Sequence, residues 1–475
     1  MIRVLAAFSV AGVCVLAAQN APKEFGTQTR PQPKEKPAAA PATKPVDPDQ
    51  IDENKLFSEG ETVTPIEKIK DDKVDEVTEK ESVGFSGSIN SRNSYAMSRD
   101  WLLGNTSSTA QNTLNNQLQN NLNLEARARR GTRAVVNLVN NVYAQGKSEQ
   151  HTIQDANTGA VTKYNETVYA DYRFTEAFVD ANIARAVYFR AGKQVLVWGR
   201  GFFWNPSDVI NTELRSATDA FQFREGTYGL RAHVPIGTAF NFYSFTGVGK
   251  STRAEDIIQA FKAEVAVSRA EIAAGVIMGQ KKVPTYLVEA STRFWTLDWR
   301  AEATYAYGDN AQRIDVNTFN ILNPVTYQLR DQHVFKGVLS VGRSFEVFDV
   351  ADRLTINLEY FYNGAGYNDN IFAQNNLVRA YFVTNGLYRA NYYGMHYLGF
   401  FATYTKFILN EMTLGLNGFG NLSDKTFVFS ELLTYTPLFN LTLTWQNNIF
   451  TGAANGEYTV SGLGWYSEFS ARVSF

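Results

Sequence analysis

The sequence predicts an all-β fold: an antiparallel transmembrane β-barrel of about 18 strands (16–18), preceded by a disordered N-terminal tether. Three observations carry that reading. Segments of period 2 recur from Gly84 to the end of the chain, each with one apolar and one polar face. The links between them are short and long by turns, as in barrels whose turns are short on one side of the membrane and long on the other. The chain also ends on such a segment. Trp465, Ser467, Phe469, Ala471, Val473 and Phe475 share one face, and Tyr466, Glu468, Ser470, Arg472 and Ser474 the other. An unpaired amphipathic strand invites aggregation in water, whereas a closed barrel in lipid needs it to complete the ladder.

Composition fits. Of 475 residues, 44% are hydrophobic and 13% aromatic, with 33 Phe and 24 Tyr, at a mean hydropathy of −0.26. Past the amino terminus no apolar run reaches the roughly 18 residues of a membrane helix. Abundant aromatics without apolar runs suit a barrel with aromatic girdles at both interfaces. The formal net charge of −2 argues against nucleic acid as a partner.

Residues 1–18 read as a secretory signal peptide, with Arg3 at the charged end, an apolar run from Val4 to Leu16 and small residues at Ala17 and Ala18. The single cysteine, Cys14, lies inside it and reads as an apolar signal residue rather than a lipidation site, so a mature chain without it has no thiol chemistry. Residues 19–82 form a Pro-rich, charged segment in which Pro31, Pro33, Pro37, Pro41, Pro45 and Pro48 interrupt Lys, Glu and Ala. It can bury too little apolar surface to order itself and favours extended polyproline II. We expect a semi-rigid periplasmic tether, with the charged stretch 66–80 as part of it.

Residues 83–475 are the expected barrel. Leu122, Leu124, Ala126 and Ala128 alternate with Asn123, Glu125, Arg127 and Arg129. Phe261, Ala263 and Val265 alternate with Lys262 and Glu264; Leu297, Trp299, Ala301 and Ala303 with Asp298, Arg300 and Glu302. Leu354, Ile356 and Leu358 alternate with Thr355, Asn357 and Glu359, and Leu441, Leu443 and Trp445 with Thr442, Thr444 and Gln446. Each segment is taken as about ten residues, enough to cross a bilayer at a tilt. Short links fall at 130–132, 184–185, Gly237, Ala270, Trp295 and Phe439, and longer ones at 96–116, 145–165, 199–225, 249–259, 308–332 and 363–395. An even strand count returns both ends to the periplasm. A soluble propeller would need an internal repeat, which the sequence lacks.

A barrel of this size leaves an aqueous lumen. The polar faces place Arg127, Arg129, Arg300 and Arg472 there with Glu125, Glu264, Asp298, Glu302, Glu359 and Glu468. Cross-strand salt bridges in a solvated interior account for most of them, with a few left to tune selectivity.

One segment stands apart. A strand from Val187 to Trp198, with a bulge expected near Gly192, runs into Gly199-Arg200-Gly201 and an Asn205-Pro206-Ser207-Asp208 turn. Asp208 is placed to accept backbone amides. The loop up to Glu225 is too apolar for free solvation, so it either folds into the lumen or caps the rim with Trp198 and Trp204 in the aromatic girdle. On the first alternative the pore and constriction candidates are Arg190, Lys193, Arg200, Trp204, Asn205, Asp208, Glu213 and Arg215.

These residues resemble those of a family of bacterial outer-membrane barrels, loosely porin-like and alginate-export-like, that carry Gly-Lys/Arg-Gln, then Trp-Gly, then Asn-Pro-Ser/Thr-Asp. The matching residues are Gly192, Lys193, Gln194, Trp198, Gly199, Asn205, Pro206 and Asp208. The C-terminal strand is similar to the signal that the barrel-assembly machinery reads on Phe475. The resemblance implies an outer-membrane channel without an assigned solute. The expectation is therefore a porin-like channel for small polar or charged solutes, embedded in outer-membrane lipid. A facilitator for hydrophobic substrates, like the fatty-acid transporters, and a surface structural protein or adhesin are the alternatives. An energy-coupled receptor would need a larger plug than the tether offers. No enzyme, cofactor or metal is expected: His151, His233, His333 and His396 are scattered without zinc-ligand spacing, and Gly199-Arg200-Gly201 lacks the setting of a phosphate loop. A homo-oligomer and a periplasmic or cell-wall partner for residues 19–82 are both compatible with the sequence.

Overall fold

Alternating side chains dictate strands, and strands with one greasy face must close on themselves in lipid. In a computed structural model the chain does so. The structure describes residues 81–102, 112–128, 131–154, 161–210, 224–248, 253–320, 322–374, 376–385, 387–388 and 390–475. The signal peptide, the tether up to residue 80, Arg129, Glu213 and Arg215 lie outside the described residues.

The strands are β1 (Ser82–Ser98), β2 (Thr113–Ala128), β3 (Thr132–Gln154), β4 (Val161–Ile183), β5 (Val187–Gln194), β6 (Thr227–Ile236), β7 (Phe240–Gly247), β8 (Ile258–Val267), β9 (Ala270–Gly279) and β10 (Lys282–Phe294). They continue as β11 (Leu297–Tyr307), β12 (Gln312–Ile314), β13 (Thr326–Gln328), β14 (His333–Val347), β15 (Val350–Asn363), β16 (His396–Thr405), β17 (Met412–Asn421), β18 (Thr426–Leu438), β19 (Leu441–Gly452) and β20 (Leu463–Ser474). Eighteen form one sheet, and β12 and β13 pair only with each other. Each barrel strand pairs antiparallel with its neighbours, and β1 pairs with both β2 and β20, so the barrel closes. The last residue seals it: the Gly87 amide donates to the Phe475 carbonyl at 2.9 Å and the Phe475 amide to the Gly87 carbonyl at 3.0 Å.

Strand lengths depart from the uniform ten residues expected, running from 8 residues in β5 to 23 in β3 and β4. One rim carries short turns. Phe348 and Asp349 join β14 to β15, and Trp295 and Thr296 join β10 to β11, all with positive φ, the geometry of two-residue hairpin turns that match strand twist. The opposite rim carries the long loops.

Paired residues share a face, and burial separates the two faces. Tyr305, Phe335, Leu339, Leu358 and Leu398 are exposed on the outside, whereas Glu302, Glu359 and Ser340 are buried on the inside. The outer wall is thus apolar and the inner wall polar, the arrangement of a membrane-spanning barrel. Above the long-loop rim, Ile314, Ile371, Phe372, Val378, Phe382 and Tyr393 form a buried apolar cluster. The long loops 308–332 and 364–395 therefore share one core.

Candidate functional site

The segment after β5 does not continue as a strand to Trp198. β5 ends at Gln194, and the chain turns into the lumen. Gly192 carries φ +127, yet its pairing on both sides is uninterrupted. The slip in alternation there is a glycine kink rather than an inserted residue.

Apolar residues anchor the first part of the segment. Leu196, Trp198 and Ile210 pack on Phe245, Ala260, Ile277 and Leu287 of the inner wall. The Lys262 ammonium lies 5.3 Å from the centre of the Trp198 ring. Val197, one residue off that face, is 70% exposed. The far end docks elsewhere. Trp204 is fully buried among Val338, Phe361, Tyr397, Phe419 and Val428. Both tryptophans are buried against these side chains rather than exposed on the outer face of the barrel.

β16 is the fourteenth barrel strand and β5 the fifth. Eight strands lie between them on either side, half the circumference, so the segment reaches the opposite wall. Gly399 on β16 makes room for it: a Cβ there would stand 2.7 Å from the Phe203 ring and 3.1 Å from that of Trp204.

Crossing a lumen exposes backbone amides that no neighbouring strand can satisfy. Three buried carboxylates satisfy them. Glu289 on β10 accepts the Gly199 amide at 3.1 Å. Glu302 on β11 accepts Arg200 at 3.0 Å and Ser207 at 2.6 Å. Glu359 on β15 accepts Phe202, Phe203 and Trp204 at 2.6, 2.9 and 2.9 Å, and the Ser340 hydroxyl at 2.6 Å. Charge-assisted bonds of this kind are about twice as strong as neutral ones. Glu302 and Glu359, expected in cross-strand salt bridges, are thus spent on the backbone of the inward segment. Asn205 supports it locally, its side-chain oxygen accepting the Gly201 amide at 2.9 Å while its own amide donates to the Tyr392 hydroxyl at 3.0 Å.

The glycines follow from this crowding. Gly199 has φ +97, and a Cβ there would meet Asn205 and stand 2.6 Å from Glu302 Oε2. A Cβ on Gly201 would run into the Trp204 carbonyl.

Arg200 is the hub of the charges. Its guanidinium donates to Glu271 at 2.6 Å, Ser291 at 2.8 Å and Glu264 at 3.0 Å, and it lies 3.7 Å from Glu289. Glu289 also accepts from Lys262 at 3.3 Å. The other candidates sit apart from this cluster. Arg190 pairs with Asp180 at 2.7 Å and covers the Phe178 ring at 3.8 Å. Lys193 pairs with Glu225 at 2.7 Å. Asp208, expected to accept backbone amides, accepts the Arg224 guanidinium at 2.5 Å. Of the remaining wall charges, Arg300 stacks on Phe202 at 4.4 Å, Asp298 pairs with Arg293 at 2.6 Å, and Arg127 pairs with Glu125 at 2.6 Å.

Between the segment and the long loops lies a cavity of about 430 Å³, lined by Pro206, Val209, Lys282, Asp309, Arg313 and Lys336 among others. Above the wall, Glu457 is a buried carboxylate that accepts the Asn391 amide at 2.7 Å, the Tyr397 hydroxyl at 2.8 Å and the Asn421 side chain at 3.0 Å. Burial, with Asp424 beside it, pushes its carboxyl up to about 7.

Sequence reasoning missed Glu289 and Tyr392. In β10 the inward Leu287 serves the apolar core beside the outward Val288, so both faces look greasy and the alternation that would single out Glu289 is hidden. Tyr392 lies in a long loop with no periodicity to read.

No protein-family model matches the chain, and no curated protein does. Solved structures do. OccAB1 of Acinetobacter baumannii is 11% identical, with a TM-score of 0.50 over 82% of this chain and 96% of its own. OccK8 (OprE) of Pseudomonas aeruginosa is 9% identical, with a TM-score of 0.50 over 83% and 98%. A BenF-like porin from Pseudomonas fluorescens Pf-5 is 12% identical, with a TM-score of 0.50 over 83% and 98%. At these identities the likeness is one of fold: an antiparallel 18-stranded outer-membrane barrel of porin type.

Proposed function

We propose that this barrel is a porin-like channel of the bacterial outer membrane, and that residues 195–210 set its bore for small polar or charged solutes. The observation that carries the reading is the segment itself, which runs from β5 to the opposite wall and is held there by Glu289, Glu302 and Glu359. A segment that only capped the rim would not need buried carboxylates at three places on the inner wall. Porins of the same fold support the channel class.

In this reading the segment divides the cross-section. On one side its apolar face is sealed against the wall. On the other, Val197 is exposed, and the inner wall of β2 and β3 is lined with side-chain amides: Asn123 donates to Asn137 at 2.6 Å and Gln117 to Asn141 at 2.8 Å. Solutes pass along that amide wall. Arg200 contributes little net field, because Glu264 and Glu271 neutralise it at close range.

The test uses Val197→Cys in a Cys14→Ala background, reconstituted in planar bilayers. Reaction with a thiol reagent that adds a bulky charged group should cut the single-channel current. Full current after complete labelling takes the segment out of the permeation path. A facilitator for hydrophobic substrates predicts no salt or sugar flux and copurifying lipid, so flux into liposomes separates the two readings.

A further inference from the structure

The inward segment leaves one stretch of the inner wall untouched. Among the described contacts of residues 195–210, β4, β7 to β11 and β14 to β18 take part, and none falls on β20, β1, β2 or β3. On the stretch from β17 round to β2 the inward positions well inside the strands are mostly amides and hydroxyls. Alternation assigns them: Trp445, Ile449, Phe469 and Ile89 are exposed on the outside, and Gln446, Asn448, Ser470 and Asn90, each one residue on, are buried. Register sets the next ones beside them. Ser470 of β20 pairs with Arg92 of β1, Asn90 of β1 with Gln119 of β2, and Gln119 with Asn141 of β3. Charge is sparse here. Arg92 donates to both oxygens of Glu468, at 2.8 and 3.0 Å, so the two neutralise each other. Arg472, opposite Asn90, is the one further inward charge of β20 and lies toward the turn rim.

Several of these polar groups have no protein partner. Asn90 is only 1% exposed, yet neither its side-chain oxygen nor its side-chain nitrogen is hydrogen-bonded. The Asn121 and Asn417 side-chain oxygens and the Ser470 hydroxyl are buried and unpaired in the same way. They lie on β1, β2, β17 and β20, each well inside its strand. Buried polar groups are nearly always paired, so this band of the wall is completed by what fills the lumen. Two residues along β1 from Asn90, Arg92 enters a recess of about 230 Å³ in the same wall, lined also by Gln446, Asn448, Phe450, Tyr466 and Glu468. The recess sets two aromatic rings beside two amides and an ion pair without net charge.

We propose that the inner wall from β17 to β2 recognises uncharged polyhydroxylated solutes, neutral sugars and polyols, with the recess as their binding station. The inference rests on the channel reading and names the solute class for it. Hydrogen-bonding complementarity selects that class. A hydroxyl both donates and accepts, and a carboxamide carries one donor group and one acceptor, so adjacent hydroxyls of one sugar pair an amide oxygen and an amide nitrogen together. A carboxylate meets carbonyl oxygens there as often as N–H groups, and an ammonium meets N–H groups as often as oxygens. The Phe450 and Tyr466 rings suit the apolar C–H face of a sugar ring.

The test records salt current through the full chain in planar bilayers with three added solutes. Lactose is the neutral sugar. Lactobionate is its acid counterpart, and a dimethyl-capped oligo(ethylene glycol) of the same size offers acceptors without donors. Lactose should lower the current saturably, lactobionate more weakly, and the capped glycol only as far as viscosity requires. Asn90→Leu with Asn121→Leu removes two side chains that make no described hydrogen bond. It should raise the half-blocking lactose concentration severalfold, read against the variant's own sugar-free current, while heat-dependent gel mobility reports a closed barrel. Equal effects of lactose and capped glycol overturn the proposal. So does stronger block by lactobionate, or an unchanged half-blocking concentration in the folded variant. Salt current that lactose leaves untouched overturns it while the channel reading stands; no salt current at all overturns both.

Discussion

At the scale of single residues, the inward segment depends on carboxylates that receive backbone amides. Glu359 accepts three amides and a hydroxyl. Glu359→Gln keeps the shape but removes the charge and turns one oxygen into a donor. With charged hydrogen bonds worth about 1.5–3 kcal/mol and neutral ones about 1, a loss of about 1–3 kcal/mol is expected in reversible urea unfolding, together with noisier single-channel current. Unchanged stability and noise would mean that the segment is held by its apolar contacts alone. Arg200→Ala tests the charge hub. It strips the cation from Glu264 and Glu271, so the reversal potential in a salt gradient should move toward cation preference; no movement would place the cluster outside the ion path. Part of this chemistry was readable in the sequence. Gly199, Gly201 and the Asn205–Asp208 turn announced a special backbone, and the polar faces named Glu302 and Glu359. Their role was not readable, because whether a lumen carboxylate meets a guanidinium or an amide depends on a loop from the far side of the barrel.

At the scale of elements, strands were legible and loops were not. A strand facing lipid on one side and water on the other must alternate, so its sequence shows its face. The inward segment faces protein on both its wall contacts, and its pattern gives no direction; Trp198 and Trp204 were equally compatible with the girdle. The long loops hold a testable device. Glu457 in the loop before β20 ties residues 391, 397 and 421 together. Its carboxyl, ordinarily near 4.5, sits at about 7, so the folded loops bind that proton more tightly than unfolded loops do. The linked stability is fully present below about 4.5 and is lost as pH rises through about 7, at up to about 1.4 kcal/mol per pH unit within that window. Limited proteolysis should therefore cut the 364–395 loop faster at pH 8 than at pH 5, and Glu457→Gln should flatten the difference. Equal cleavage at both pH values in the unmodified chain contradicts this.

For the whole molecule, closure and division of the lumen decide function. The terminal strand, the plainest feature of the sequence, closes the ladder through Gly87 and Phe475, and the Phe85 and Phe475 rings meet with centroids 5.7 Å apart. Removing Phe475 deletes both closing bonds and should slow folding into lipid vesicles, measured by heat-dependent gel mobility, while salts and sugars still pass through the fraction that folds. Division of the lumen rests on the crossing from β5 to β16. The most direct measurement is single-channel conductance of the full chain against a variant in which residues 199–209 are replaced by two glycines. A bore set by that segment predicts a severalfold larger unitary current with the barrel intact. An unchanged unitary current from a folded variant would show that the bore is set elsewhere.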